Sequence, residues 1–310
     1  SEALREAAEK INERLRQAPQ NKELKKAKKN IEEDYLPRME KYERYEETFE
    51  GRNSFSKTDT DATFMRMKED HMRNGQLKPG YNIQLGTQNQ FILGYSLHQR
   101  AGDTSCLKEH LEKLKTWLGT APKNLVADAG YGSEANYSYL EENQINAYVK
   151  DNRFHYEQKR NYKKKNPYRA DNFQYHPDED EYECPQGKRL HYVFTRPYKN
   201  DNGFVSERRI YACEDCSLCP VKDECTRSKY NRQIQIGEEW ERLKQKARDN
   251  LLSPQGLELR SQRPIEVEAV FGRLKQDWDF RRFLLRGLEK VTTEWGILCI
   301  AHNIAKAAVQ

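Results

Sequence analysis

Asp128 occupies a position at which a carboxylate is suited to bind a ligand. It follows the short apolar run 125–127, which predicts a buried strand, and it opens a turn that contains Gly130 and Gly132. In α/β sheets, ligands collect at the carboxyl ends of strands, and glycines let the backbone approach closely. We therefore expect a rigidly held carboxylate whose oxygens face solvent or an ion. The alternative is an aspartate that caps the following helix.

Glu268 and Lys275 form a second pair of side chains suited to chemistry. They lie on an apolar-striped helix that is predicted to begin near Pro264, and their seven-residue spacing brings both to one side after two turns. A carboxylate and an ammonium in this arrangement are suited to binding a metal ion and an adjacent phosphate. The alternative is an exposed glutamate on an amphipathic helix.

Five of the seven cysteines are concentrated in one polar stretch: Cys184, Cys213, Cys216, Cys219 and Cys225. No export signal is visible, so disulfides are not expected, and four thiolates around a structural Zn²⁺ explain the spacing better. We favour Cys184, Cys216, Cys219 and Cys225, because ligands from separate segments would hold the stretch together. Cys213 can replace any of these four, and reduced thiols without a metal are the alternative.

A basic segment precedes the cysteines. Eight lysines and arginines lie between Lys150 and Arg169, opposed only by Asp151 and Glu157, and aromatic residues interleave with them. Basic side chains neutralise phosphates and aromatic rings stack on bases, so the segment is suited to nucleic acid. A solvated, flexible loop is the alternative. The net charge of +5 is mild, so this local concentration is more informative than the total.

The order of the predicted elements defines the fold class. They are a hairpin over 81–98, a helix capped by Asp103, a strand at 125–127, a helix over 133–142 and a strand at 145–149. This order predicts an α/β protein with a mixed sheet. No run of 18 apolar residues is present, so no transmembrane helix is expected.

Four segments are predicted along the chain: a helical arm at 1–50, a first part of the core at 51–149, a basic and cysteine-rich insertion at 150–255, and a second part of the core at 256–310. Residues 51–80 are predicted to be irregular and to lack a buried strand, apart from a helical piece at 64–70. The last segment is expected to end with a helix over 291–309.

Several stretches resemble the bacterial insertion-sequence DDE transposases. The stretches are 126–133 (VADAGYGS, like the second-aspartate motif), 267–275 (VEAVFGRLK, like the glutamate helix with its Glu-x6-Lys spacing), 78–84 (like the first hairpin), and 285–288 with 301–303 (like the C-terminal end). The resemblance spans roughly 56–308. These pieces follow one another in the family's order at fitting distances, which makes the resemblance specific.

The resemblance implies an RNase-H-like core in which two aspartates and one glutamate hold two Mg²⁺ or Mn²⁺ ions. It carries Asp128 and Glu268 over as ligands of these ions. It also implies metal-dependent phosphodiester cleavage and strand transfer at element ends, with transposon and target DNA as partners. It is compatible with a homodimer and with a place in the bacterial cytoplasm, associated with the nucleoid. DNA contacts are expected at Lys275, Arg263, Arg273, Lys163, Lys164 and Lys165.

The sequence departs from the family's Tyr-x2-Arg-x3-Glu-x6-Lys signature. The arginine position is Pro264 and the tyrosine position is Ser261, so the neighbouring Arg263 is expected to substitute for the arginine.

The first catalytic aspartate is a further departure. Its strand is expected upstream of Ser1, which would leave two of the three carboxylates in this chain and leaves its activity open. Asp59 and Asp61 are the remaining candidates for this role. A non-catalytic, zinc-stabilised DNA-binding fragment is the alternative function.

Overall fold

The computed structural model describes residues 2–67, 75–165 and 167–309. The chain divides into two units. Unit 1 comprises Ser1–Tyr81, Gln99–Ala101 and Leu284–Val291, and unit 2 comprises Asn82–His98, Gly102–Phe283 and Thr292–Gln310. Helices and strands are mixed along the chain, as the predicted fold class requires.

Unit 1 begins with the predicted helical segment. Its helices are α1 (Glu2–Gln17), α2 (Lys22–Asn30) and α3 (Leu36–Phe49), with a π-helical stretch, Ile31–Tyr35, between α2 and α3. The Asn21 side chain accepts bonds from the first backbone N–H groups of α2, which fixes where this helix begins. Pro37 lies near the start of α3, which continues directly from this π-helical stretch.

Unit 1 also contains a strand where a helix was predicted. Strands β1 (Thr63–Arg66) and β2 (Leu77–Gly80) pair in an antiparallel arrangement. Thr63 and Met65 are buried whereas Phe64 and Arg66 are exposed, which is the two-residue period of a strand. The predicted helix at 64–70 is therefore wrong over residues 64–66, and so is the expectation that 51–80 lacks a buried strand. Residues 68–70 lie outside the described residues.

The first half of unit 2 follows the predicted order. Its elements are β3 (Asn82–Gln88), β4 (Phe91–His98), α4 (Leu107–Leu118), β5 (Asn124–Ala127), α5 (Glu134–Glu142) and β6 (Asn146–Val149). Strands β3 and β4 form an antiparallel hairpin, and β5 and β6 are parallel. Within the described residues these two pairs are separate two-stranded sheets, so the RNase-H-like core stays a prediction.

The basic and cysteine-rich segment folds mainly into an antiparallel sheet. Its elements are α6 (Phe154–Glu157), α7 (Tyr162–Lys165), β7 (Gln174–His176), β8 (Glu181–Glu183), β9 (Arg189–Lys199), β10 (Val205–Cys213), α8 (Lys222–Cys225) and β11 (Gln233–Ile236). The strand order is β11-β10-β9-β8-β7. Leu190, Tyr211 and Ile234 are fully or almost fully buried on one side of the sheet, next to Cys213 and Cys216.

The rest of unit 2 is helical. Its elements are α9 (Glu238–Leu252), α10 (Pro254–Gln262), a π-helical stretch (Pro264–Glu268), α11 (Ala269–Gly272) and a second π-helical stretch (Arg273–Asp277), followed by α12 (Leu288–Ala307), whose first residues belong to unit 1.

Leu243 and Ala247 of α9 pack into the cluster formed by α4, α5 and β6. The bounds of the insertion, 150–255, stay a prediction. The helix predicted to begin near Pro264 continues directly from α10, where the Ser253 side chain accepts a bond from Gly256 N and caps the first turn.

Candidate functional site

Asp128 is the first residue after β5, the strand that pairs in parallel with β6. Its Oδ1 accepts a hydrogen bond of 2.9 Å from Gly130 N, within the single 3₁₀ turn Ala129–Tyr131. This bond caps only the 3₁₀ turn, because the following helix α5 is capped by Ser133, whose Oγ accepts a bond from Asn136 N. The second oxygen, Oδ2, takes no part in this bond and contacts a side chain from another part of the chain. The carboxylate is therefore held on one side by its own turn and presents its other side to the site.

Gly132 lets the turn after Asp128 pack closely against the neighbouring strand. A Cβ atom at this position would lie 2.3 Å from Lys150 O and 2.9 Å from Asp151 Cα. Real Cβ atoms do not approach backbone atoms so closely, so only glycine permits this packing. The predicted role of the glycines around Tyr131 is thereby explained at this position.

Arg263 joins Asp128 to Glu268. Its Nη2 lies 3.3 Å from Asp128 Oδ2, and its Nη1 lies 2.6 Å from Glu268 Oε1. The arginine side chain is 22% exposed, against 39% for the aspartate and 56% for the glutamate. The two carboxylates that the sequence analysis selected, 140 positions apart, therefore face one shared space that a cation occupies.

A π turn brings Arg263 and Glu268 together. In the family signature, arginine and glutamate are four residues apart, which is the spacing of neighbours on an α-helix. Here the spacing is five residues, and the stretch Pro264–Glu268 is π-helical, so residues i and i+5 become neighbours. The wider turn thus allows two side chains five residues apart to bond, and the substitution of Arg263 for the family's arginine stays a prediction.

Asp103 is a neighbour of Asp128 that the sequence analysis missed. A Cβ atom on Gly130 would lie 3.0 Å from Asp128 Oδ1 and 3.2 Å from Asp103 Oδ2, so the two carboxylates flank this glycine. Asp103 Oδ1 accepts bonds from Asn82 Nδ2 at 2.8 Å and from Gln84 Nε2 at 3.2 Å. No local sequence signal announces this arrangement, because both donors come from β3.

Two details of this neighbourhood follow from the packing. Asp103 was expected to cap α4, but Cys106 occupies the position before the helix, and the Asp103 side chain turns to β3 instead. The Tyr131 hydroxyl donates to Gln84 Oε1. Burial and the charges of Asp103 and Asp128 raise the pKa of Tyr131, so this hydroxyl stays protonated near neutral pH.

The other basic residues predicted to contact DNA do not bridge Asp128 and Glu268 as Arg263 does. The Lys275 ammonium lies 5.4 Å from the centre of the Phe271 ring, and the Arg273 guanidinium lies 5.6 Å from the centre of the Trp278 ring. The remaining three, Lys163, Lys164 and Lys165, are exposed on α7. Their contact with DNA stays a prediction.

Asp59 and Asp61 hold backbone groups within unit 1. Asp59 accepts a bond from the Tyr81 hydroxyl and one of 3.1 Å from Gly287 N. Asp61 Oδ2 accepts a bond of 2.7 Å from Leu288 N, the first residue of α12. These bonds cap the start of α12, so both carboxylates have structural partners, and a catalytic role for either stays a prediction.

The five clustered cysteines line one small cavity in unit 2, of about 20 Å³. Cys225 lies near enough to Cys184, Cys216 and Cys219 to interact electrostatically with each of them. Cys213, at the end of β10, donates its S–H to Asp215 O at 3.8 Å. Across residues 2–67, 75–165 and 167–309, no group of three or more His, Cys, Asp or Glu side chains is arranged to hold a metal ion.

No helix in the described parts of the chain has the length and apolar character needed to cross a membrane. No curated protein and no solved structure shows significant similarity to this chain.

The match to a known family covers the C-terminal part of the chain. Residues 183–308 match the family model described as "Transposase DDE domain". This range includes Arg263, Glu268 and the five clustered cysteines, while Asp128 lies before it. The match supports a transposase function and DNA as the partner, and it agrees with the resemblance seen in the sequence: residues 183–308 are similar to the transposase DDE domain family.

Proposed function

We propose that this chain is a DNA transposase that cleaves and joins phosphodiesters with divalent metal ions held by Asp128 and Glu268. The observation that carries the proposal is the guanidinium of Arg263, which bonds one oxygen of each carboxylate. Because one cation is already held by both groups, a second kind of cation that enters the same space meets both.

The donor chemistry fits Mg²⁺ or Mn²⁺. Mg²⁺ is a hard cation that proteins commonly hold with one or two carboxylates, while substrate phosphates and water complete its coordination. Two protein ligands are therefore enough for a site that is finished by DNA. When bound, such ions polarise the phosphoryl oxygens and lower the pKa of the attacking water or hydroxyl group.

The residues of the chain have separate tasks in this proposal. The Gly130 N–H fixes Asp128 Oδ1, so the aspartate keeps its orientation when Oδ2 exchanges partners. Arg263 offsets the two negative charges while it bonds both carboxylates. If a metal ion were held there instead, the planar guanidinium would be free to bind a phosphate, for which it is a good bidentate partner.

The remaining assignments of the proposal concern partners. Lys275, Arg273 and the three lysines of α7 are proposed to contact the phosphates of transposon or target DNA without reading sequence. A homodimer and an association with the nucleoid are compatible with this activity. Asp59 and Asp61, the candidates in the sequence for a further acidic ligand, both cap α12.

The experiment compares nicking of supercoiled plasmid DNA in Mg²⁺ and Mn²⁺ by the wild type and by the variants Asp128→Asn and Glu268→Gln. Each variant is expected to lose about 100-fold or more in rate, the loss typical of removing one essential charged group. Glu258→Gln, at an exposed position on α10, is the matched control and should cleave like the wild type. Equal rates for Asp128→Asn and Glu258→Gln would overturn the proposal.

The cysteine cavity favours a second candidate function, a non-catalytic DNA-binding module stabilised by zinc. A cavity of about 20 Å³ holds one water-sized species, and five thiols line it. Cys184, Cys216, Cys219 and Cys225 would bind Zn²⁺ after rotation of their side chains. This candidate predicts DNA binding by the wild type with no metal-dependent nicking, so the same plasmid experiment separates the two functions.

A further inference from the structure

Lys150 is the first residue after β6, just as Asp128 is the first residue after its partner strand β5. Ala127 of β5 pairs with Val149 of β6, so the residues that follow these two leave the same edge of the sheet together. The turn after Asp128 touches the backbone of Lys150, where a Cβ on Gly132 would come within 2.3 Å of Lys150 O. The position of the lysine is therefore fixed by the same packing that fixes the aspartate.

The Lys150 ammonium has no direct partner. Within the parts of the chain that the structure describes, it makes no hydrogen bond and no ion pair, although its side chain is half-buried. Asp128 and Glu268 attract it and Arg260 and Arg263 repel it, while burial and the two arginines lower its pKa. Both candidate catalytic carboxylates therefore attract the ammonium, but it bonds neither of them.

Arg260 is a second cation on this side of the site. Its guanidinium lies 5.0 Å from the centre of the Phe154 ring, and its Nη1 donates to Leu251 O at 3.2 Å. Its buried Nε has no hydrogen-bond partner among the described residues, and the same holds for Nε of Arg263. Both arginines therefore keep an unused donor and lie near enough to the Lys150 ammonium to repel it.

These charges require an anion once the carboxylates are engaged. Divalent ions at Asp128 and Glu268 would cancel the negative charge that now offsets Lys150, Arg260 and Arg263. A phosphodiester supplies one negative charge and several acceptor oxygens at the place where the carboxylates act. A compact ammonium on a flexible stem is suited to meet one phosphate oxygen as a point charge.

We propose that Lys150, with Arg260 beside it, binds the phosphate group of the DNA strand that is held at Asp128 and Glu268. This inference rests on the proposed function and adds to it a residue that binds substrate. It also gives Lys150 a role separate from the rest of the basic segment 150–169, whose lysines on α7 are exposed.

The test measures DNA binding independently of cleavage. A fluorescein-labelled duplex of random sequence is titrated with protein in Ca²⁺ over a series of salt concentrations, and binding is followed by anisotropy. The plot of log K against log salt has a negative slope, and the loss of one phosphate contact makes it shallower by about 0.9. Lys150→Met should show this shallower slope together with weaker binding. Lys115→Met, at an exposed position on α4, is the matched control and should keep the wild-type slope.

Two further variants secure the interpretation. Lys150→Arg keeps the charge and should keep the slope, while Lys150→Gln should repeat the loss if Lys150→Met proves too unstable to measure. A wild-type slope in the folded Lys150→Met or Lys150→Gln protein overturns the inference.

The outcomes separate this inference from the proposed function. If Asp128→Asn abolishes nicking while Lys150→Met keeps the wild-type slope, the function stands and the lysine contact is wrong. If the slope falls in Lys150→Met but the wild type does not nick DNA in Mg²⁺ or Mn²⁺, the contact stands and the catalytic function is wrong.

Discussion

Arg263 and Glu268 lie five residues apart in one continuous helical region, and Nη1 of the arginine donates to Oε1 of the glutamate at 2.6 Å. Side chains on an α-helix meet at spacings of three or four residues, so this contact depends on the π turn Pro264–Glu268. Pro264 explains the turn, because it has no N–H to donate and its ring clashes with the carbonyl four residues earlier. Pro264, which stands where the family signature has arginine, is therefore also the residue that explains this contact.

Replacing Pro264 tests this relationship. Pro264→Ala restores the N–H group, so an α-turn can form, and residue 268 then rotates by about 100° relative to residue 263. We expect the contact between Arg263 and Glu268 to be lost and nicking to decrease, while the free energy of unfolding stays equal or rises, since proline inside a helix costs about 3 kcal/mol.

The measurements for this variant are plasmid nicking and urea unfolding. Pro254→Ala is the control, because Pro254 lies in the first turn of α10, where proline is tolerated. Full nicking activity in Pro264→Ala would show that the π turn is not needed to place Glu268.

Gly132 is expected to be far less tolerant of substitution than Gly272. Gly132→Ala places a Cβ 2.3 Å from Lys150 O, so the turn after Asp128 must move, at a cost of about 1–3 kcal/mol. At Gly272, in helix α11, a Cβ would meet nothing within 4 Å. Gly272→Ala should therefore stabilise the protein by about 0.5–1 kcal/mol. Urea unfolding of both variants checks the prediction, which fails if the two changes have the same sign.

The buried His110 predicts a loss of stability in acid. Its Nδ1 lies 2.8 Å from Ser96 Oγ, which also lies 2.7 Å from His98 Nε2. Burial, with smaller contributions from His98 and Lys113, lowers the pKa of His110 to about 4. The unfolded chain therefore binds a proton near pH 6.5 that the folded protein refuses until about pH 4, and the free energy of unfolding falls as the pH drops through this window.

The size of this acid effect can be measured directly. Between pH 7.5 and pH 5 the contribution of His110 corresponds to a loss of about 2 kcal/mol. Urea unfolding at both pH values should show this loss in the wild type, and His110→Phe should reduce it. An equal pH dependence in His110→Phe and the wild type would assign the effect to other groups.

The cysteine cavity predicts one zinc ion per chain in protein purified without chelator. Cys225→Ser should lower the zinc content measured by mass spectrometry, and a zinc chelator should lower the melting temperature of the wild type, because a structural metal contributes directly to folding. Cys213→Ser should keep the zinc, since its thiol donates to Asp215 O. Cys106→Ser, at a buried cysteine that does not line the cavity, is the control and should keep the zinc. Wild-type protein that contains no zinc and is insensitive to the chelator would contradict the prediction.

Strong local patterns made part of the fold predictable. The alternation in β3 and β4 and the leucine stripe of α4 are visible in the sequence, so the order of elements over 81–149 is confirmed. Strand β1 was missed because it has only four residues, too few for its period to stand out. The extension of the last core helix back to Pro254 was missed because α10 has no clear apolar stripe.

The candidate site was predictable only where a local sequence motif marks its residues. Asp128 and Glu268 each carry a motif, and the structure brings them to one guanidinium. Asp103 was missed because its partners lie about 20 positions away on β3, so that only the folded chain shows its neighbour. Lys150 was noticed as a charge in a basic run, but its place beside Asp128 follows from the parallel pairing of β5 and β6.

The most direct measurement of the central claim locates the divalent ion without any need for cleavage of DNA. Fe²⁺ replaces Mg²⁺, and ascorbate with peroxide then generates hydroxyl radicals that cut the polypeptide next to the bound ion. The account predicts two cuts that appear together, one near Asp128 and one near Glu268, that Mg²⁺ suppresses both, and that Asp128→Asn loses both. A cut at only one of these positions, or two cuts that persist in Asp128→Asn, would contradict the claim that the two carboxylates hold the same ion.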